Sequence, residues 1–305
     1  MRTDRYKVIV IGGGHAGAEA AWAAANLLPE AEFGPGSVAL VTLDPAKIGV
    51  MSCNPAIGGL AKGQLVREID AMGGLMGLAA DATGIHFKML NTSKGPAVRG
   101  PRCQNDKHAY AEEVQRLVAS RPVIKVVPGA VETIETVRTG DAVRCTGVGV
   151  RTADGQRVLS APTVVLTTGT FMRGLMHTGE TKTSGGRHGE SAASAVSAAL
   201  TDLGFELGRL KTGTPPRVRM GSIAWDALPE QPGDDEPVPF SDMTDRSRFP
   251  AIDQVVCRQT RTAPEAHAVI RENLHRAPMY SGEIDSTGPR YCPSIEDKVV
   301  KFAER

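Results

Sequence analysis

The sequence predicts an α/β protein built on a Rossmann-like dinucleotide-binding domain that carries a β-meander. Three observations carry this. An apolar run over residues 6–11 ends in GGGHAG at 12–17 and passes directly into an Ala-rich stretch reaching about residue 28. Four β-type runs follow one another closely, at 123–127, 130–137, 143–151 and 157–160. A further apolar strand, Val164, Val165 and Leu166, then ends in Thr167, Thr168 and Gly169. Strand, glycine turn, helix, meander and returning strand are, in that order, the parts of a nucleotide-binding α/β unit.

Each element has a local reason. Residues 6–11 are too short and too apolar for anything but a buried strand, and the glycines stop it. Residues 29–36 are polar and punctuated by Pro and Gly, a loop, and 38–43 read as the second strand. Leu65, Val66, Ile69 and Met72 recur at helical spacing within a helix over about 60–72. Residues 83–107 read as a basic loop, with Lys88, Lys94, Arg99, Arg102 and Lys107 against Asp106 alone. A helix over about 106–119 leads into a small meander made of the four β-type runs. After the Gly-rich stretch 184–189, a helix is expected near 189–203. Gly, Pro and mixed charge become dense at about 206, which places a domain boundary there and divides the chain into 1–205 and 206–305.

Composition sets outer limits. The chain has 305 residues, with 35 Lys+Arg against 34 Asp+Glu and a net charge of +1, so it is no broadly basic nucleic-acid coat protein. Hydrophobic residues at 41% argue against disorder, and the 34 glycines point to many turns and close backbone approaches. The five cysteines, Cys53, Cys103, Cys145, Cys257 and Cys292, are odd in number and contain no C-x-x-C pair. Neither a disulfide framework nor a metal site is expected, and with no signal-peptide core or membrane span the expected location is cytoplasmic.

The strongest chemical signal is Gly12-x-Gly14-x-x-Gly17. The first glycine permits the tight turn, the second lets a pyrophosphate approach the backbone, and the third lets helix pack on strand. The helix start then offers free N–H groups and partial positive charge to phosphate. His15 reads as a helix-entry residue rather than a catalyst. Asp44, just past the second strand, is either the acid that holds a ribose hydroxyl or a turn-forming Asp before Pro45. The meander and the returning Thr-Thr-Gly strand favour FAD over NAD in this first site.

Two cysteines have a claim beyond packing. Cys292 precedes Pro293 and Ser294 ahead of an apolar helical pattern, which places it close to a helix N-cap where a thiol ionises more readily. Cys53 stands in an analogous place before Asn54, Pro55 and the Gly58–Gly59 pair. The acid-free residues Arg209, Lys211, Arg217 and Arg219, with the 88–107 stretch, are either a solvated surface balanced by Asp234, Asp235 and Glu236 or a contact for RNA phosphates.

Five strings give a resemblance: IGGGHAG at 11–17, MSCNPAIGG at 51–59, SKGPAVR at 93–99, LKTGTPPR at 210–217 and GPRYCPSIEDK at 288–298. They closely resemble, in order and along essentially the whole chain, the bacterial MnmG (GidA) family of flavoproteins that install the 5-carboxymethylaminomethyl group on the wobble uridine of certain tRNAs. The resemblance implies a Rossmann-like FAD-binding domain followed by an incomplete α/β insertion domain that binds NAD. It implies FAD held by Gly12, Gly13, Gly14, His15, Ala16 and Gly17, with Val131 and Ser184 also at family contact positions. It implies NADH against Gly288, Pro289, Arg290, Tyr291, Pro293 and Ser294, methylenetetrahydrofolate as the one-carbon donor, and Cys53 and Cys292 as the two cysteines tied to activity. The implied partners are tRNA and an MnmE-type GTPase, with a homodimer inside a heterotetramer and no membrane.

Family members are about twice as long. The expectation is therefore a half without the C-terminal helical region, itself inactive, with the activity belonging to a longer parent. The readings that compete are a folate- and FAD-dependent tRNA uracil methyltransferase and a non-catalytic dinucleotide- or RNA-binding module. The chemistry is coherent with a low-pKa thiol, since uracil C5 becomes nucleophilic once a thiolate has added to C6.

Overall fold

The computed structural model describes residues 3–187, 189–190, 192–213, 215, 218–284 and 293–302. In chain order its elements are β1 (Thr3–Arg5), β2 (Val8–Ile11), α1 (His15–Leu27), α2 (Glu30–Phe33), β3 (Val38–Thr42), β4 (Ala56–Gly58), α3 (Lys62–Ala71), α4 (Met76–Thr83), β5 (Gly84–Leu90), β6 (Gly100–Asn105) and α5 (Lys107–Ala119). They continue with β7 (Ile124–Pro128), β8 (Ala130–Thr139), β9 (Ala142–Thr152), β10 (Gly155–Ser160), β11 (Thr163–Leu166), β12 (Leu175–Thr178), β13 (Thr181–Ser184), α6 (Ala195–Asp202), β14 (Glu230–Gln231), β15 (Cys257–Arg258), α7 (Pro264–Glu272) and α8 (Ile295–Lys301).

Strands β11, β2, β3 and β7 form a parallel sheet in that order. The runs VIVI and VALVT are apolar throughout because both faces of this sheet are covered. The two-residue period of a strand sorts their side chains. Val10, Val38 and Leu40 pack with Ala18, Ala21 and Trp22 of α1 and with Tyr110, Val114 and Val118 of α5. Ile9, Ile11, Ala39 and Val41 pack with Val148, Val150 and Leu159 of the meander. Each such Val, Leu or Ile stabilises by about 1.5–3 kcal/mol relative to exposure. Helix α1 buries Gly17, Ala18, Ala21, Trp22 and Ala25, one face made mostly of small residues, which brings its axis close to the sheet.

The structure corrects the sequence reading in several places. The run at 123–127 is not part of the meander: β7 lies parallel to β3, Val38 opposite Ile124, because α5 is a crossover long enough to return the chain in the same direction. The meander is β8, β9 and β10, and its sheet is completed by β1, parallel to β10. Residues 83–107 are not a loop. They contain β5 and β6, which form an antiparallel sheet with β4 in the order β4-β6-β5. Phe87 and Cys103 point into the core from these strands, and the basic residues on the opposite face hid the alternation. Helix α4 escaped the pattern altogether. On α3 the buried positions are Gly63, Val66 and Asp70, whereas Leu65 and Met72 are exposed.

Beyond residue 206 the chain returns to the first half. Phe240 is 1% exposed within the core that holds Leu75 and Phe87. The buried Asp81 carboxylate accepts from Phe240 N at 2.8 Å, Ser241 N at 2.9 Å and Thr244 Oγ1 at 2.6 Å. Arg67 donates to the Phe240 carbonyl, and Gln254 Nε2 to Gly84 O at 2.8 Å.

Candidate functional site

The glycine turn lies between the end of β2 and the start of α1, at the C-terminal edge of the parallel sheet, where α/β folds bind ligands. Gly12 has φ +111°, and a Cβ there would stand 2.3 Å from Thr167 O. A Cβ on Gly17 would stand 1.7 Å from Gly12 O, so the third glycine lets the helix close onto the turn itself. Gly13 is equally confined, 2.6 Å from Thr42 Oγ1 by the same construction. Gly14 differs: nothing lies within 4 Å of its Cβ direction, and its extended backbone (φ −72°) suits any residue. Three glycines are thus required by protein atoms, and the fourth faces open space.

The start of α1 completes the cradle. Gly14 is the N-cap, no side chain caps the helix, and no acid stands in its first turn. The returning Thr167 fixes the turn from the other side, donating from N at 2.9 Å and from Oγ1 at 2.7 Å to Ile11 O. A dinucleotide pyrophosphate fits this place: open room at Gly14, uncapped amides behind it, and helix-dipole charge of the right sign.

Other sequence candidates fall around or away from this cradle. His15 is the first residue of α1, its ring centroid 5.6 Å from that of Tyr110. Burial first, then the Arg187 charge, hold it below the ordinary histidine value, so the ring is neutral at pH 7. Ala16 follows it on the same helix. Asp44 Oδ1 accepts from Ala46 N at 2.9 Å and caps the short turn Pro45–Lys47, so its carboxylate has the turn-forming task. Val131 is buried in β8 opposite Val150, and Ser184 is exposed at the end of β13.

Cys53 is exposed, but no helix follows it: the chain runs through Asn54 and Pro55 into strand β4. No helix N-terminus therefore acts on this thiol as the sequence suggested, because the next helix begins only at Lys62. Cys292, with Gly288, Pro289, Arg290 and Tyr291, lies outside the described residues, as does Arg217. At the following helix Ser294, not Pro293 or the cysteine, marks the start: Ser294 is the N-cap of α8 and makes a reciprocal capping box with Asp297. The Asp297 carboxylate is held below the usual range, first by Lys301 at 2.8 Å.

The two basic stretches separate. Lys88 donates to Pro232 O at 2.8 Å and stands 3.9 Å from Asp234, so the acidic run does meet it. Arg99 is exposed, its carbonyl accepting from Gln64 Nε2 at 2.9 Å. Sequence reasoning missed the cluster beside Cys53 made by Arg102, Gln104 and Asn54. The available signal was Arg102 and Gln104 two apart on one strand face.

Comparison with known proteins gives a consistent result. The family model described as glucose inhibited division protein A matches residues 7–305. The tRNA uridine 5-carboxymethylaminomethyl modification enzyme MnmG of Rhodopirellula baltica is 51% identical over 306 residues, covering 98% of this chain and 45% of that protein. The enzyme of the same name from Granulibacter bethesdensis is 51% identical over 301 residues, covering 98% and 46%. The crystal structure of Aquifex aeolicus GidA in its form I superposes with a TM-score of 0.83 at 44% identity, covering 99% of this chain and 49% of that one. The chain spans about half the length of the relatives it matches.

Proposed function

The chain belongs to the glucose inhibited division protein A family, and from that premise we propose that it binds FAD at the Gly12–Gly17 turn and serves the C5 modification of the tRNA wobble uridine. The single observation that carries the cofactor assignment is the cradle at Gly14, open where its three sister glycines are closed. The tRNA assignment is supported by the shared name of relatives at 51% identity. FAD in this place supplies the redox chemistry of a one-carbon transfer.

Methylenetetrahydrofolate is the carbon source, and NADH supplies electrons at a second site that includes Pro293 and Ser294. An MnmE-type GTPase is the partner, with two copies of the flavoprotein forming the core of a heterotetramer in the cytoplasm. The NAD domain is taken to begin at 206, with the turn at Phe240–Thr244 docked back onto the FAD domain. The chain's own residues have three tasks: α1 and its turn hold the pyrophosphate, Cys53 adds to uracil C6 and activates C5, and Arg99 with Arg217 meets tRNA phosphate.

The test is a cell that lacks its own enzyme of this kind, supplied with the protein carrying this sequence or its Gly14→Val variant. The wild type is expected to be yellow when purified and to restore the modified nucleoside in tRNA hydrolysates. The variant should be folded, colourless and without effect on tRNA. Flavin retained at full occupancy by a folded Gly14→Val protein refutes the cofactor site. A yellow wild type that restores no nucleoside refutes the tRNA assignment.

A further inference from the structure

Arg102 and Gln104 stand two residues apart on β6 and so share one face of that strand. The guanidinium has donors only. Its Nη2 and Nη1 lie 3.0 and 3.2 Å from the Gln104 amide, so the atom facing them is the amide oxygen. The Gln104 NH2 is thereby turned the other way and donates to Asn54 Oδ1 at 3.3 Å. The backbone beside it is also tied down: Asn54 O accepts from Ala56 N at 2.8 Å, and Pro55 O from Asn105 N at 2.7 Å. Strand pairing of Ala56 with Gln104 holds the two segments together.

This chain of hydrogen bonds has a direction. Charge on Arg102 polarises the Gln104 amide, which in turn polarises that of Asn54. With its oxygen engaged, Asn54 has its NH2 left for other partners. Asn54 is exposed and next in sequence to the exposed Cys53.

We propose that Arg102 and Gln104 are positioning residues that fix Asn54 as a hydrogen-bond donor beside the Cys53 thiol, and that Asn54 donates to a ring carbonyl oxygen of the base to which that thiol adds. The proposal rests on the reading of Cys53 given above. As the thiolate forms its bond to C6, the C5–C6 π pair moves through C5 and C4 to the C4 oxygen, giving an enolate. Departure of the thiolate reverses the flow. A fixed donor at that oxygen stabilises the charge that develops and costs no reorganisation when it does.

Four variants of the protein carrying this sequence test this: Asn54→Asp, Gln104→Met, their double and Cys53→Ser. The readouts are bound flavin, kcat and KM for tRNA modification, and hydrogen–deuterium exchange of residues 51–58. Asn54→Asp keeps the size of the side chain but opposes an enolate. It is expected to lower kcat about 100-fold, the scale of losing one such donor, with KM for tRNA and flavin content unchanged. Gln104→Met should lower kcat less, speed exchange in 51–58 and leave that of α3 as it was. The double variant should be no slower than Asn54→Asp alone, since the relay acts only through Asn54. Where Gln104→Met does not fold, Gln104→Glu keeps an oxygen toward Arg102 and still loses the donor to Asn54. Wild-type kcat in Asn54→Asp, or losses that multiply in the double variant, overturns the proposal while a dead Cys53→Ser leaves the parent reading standing. Full activity of Cys53→Ser overturns both.

Discussion

Cys53 and Cys103 are one chemical group in opposite surroundings. Cys53 is exposed; Cys103 is fully buried under α4, its Sγ 3.2 Å from Gln104 O. Burial, reinforced by the neighbouring Asp81 charge, pushes the Cys103 thiol far above its ordinary value, so it carries no thiolate at neutral pH. Iodoacetamide at neutral pH is therefore expected to label the exposed Cys53 in the folded chain and to reach Cys103 only in denaturant. Peptide mapping checks this, and equal labelling under native conditions contradicts the burial argument. The sequence showed both residues as cysteines between polar neighbours, and exposure is a tertiary property that no local pattern carries. The glycines are the opposite case. Gly12, Gly14 and Gly17 were legible because a turn, a phosphate approach and a helix contact must follow one another at fixed spacing. Gly13 was legible only through the family motif, since the Thr42 hydroxyl that forbids a side chain there comes from another strand.

At the scale of elements, what could be read depended on whether neighbours in sequence were also neighbours in space. The β8–β10 meander and α5 were legible because local pairing and local capping define them. Asp106 shows the second: it caps α5, Oδ1 accepting from His108 N at 2.8 Å and Ala109 N at 3.0 Å. These bonds, the Ala109 one first, hold its carboxyl below the usual range. A depressed folded value means a contribution present above the unfolded pKa, about 3.9, and lost as pH falls below it through the folded value. Asp106→Ala should cost about 1 kcal/mol at pH 7, read as a lowered urea midpoint with unchanged slope. The gap between variant and wild type should close as pH falls below about 4. A gap independent of pH would remove the carboxylate from the explanation. By contrast β5 and β6 were hidden although they pair with each other, because their outward face is basic and the other partner of β6, β4, lies more than forty residues before it. The misplaced run at 123–127 has the same cause: only the position of β3 decides whether β7 turns back or runs parallel.

At the scale of the whole molecule, the two halves of the chain meet at a buried acid. Composition marks residue 206 as a change, yet Phe240 sits in the first core and Asp81 binds the backbone that carries it. Asp70, 7% exposed, accepts from Asp242 N at 3.1 Å on the same turn, and Arg67 bridges to Asp242 Oδ2 at 3.1 Å. Desolvation raises the Asp81 pKa in spite of its three donors, so the anion is held at a cost that the captured turn offsets. The ring of Phe240 does the larger share, because it replaces water against Gly58 and the α4 side of the core. Phe240→Ala should therefore cost about 3–5 kcal/mol and act first on this junction rather than on the parallel sheet. The expected result is faster hydrogen exchange and new protease cleavage between residues 232 and 255, with β2, β3 and α1 still protected. Asp81→Ala, which strands two buried N–H groups and a hydroxyl, should give the same map with a smaller loss. Uniform loss of protection across β2 and β3 in both variants would instead make the returning segment part of one cooperative unit with the nucleotide sheet, and the junction would cease to be a separable latch.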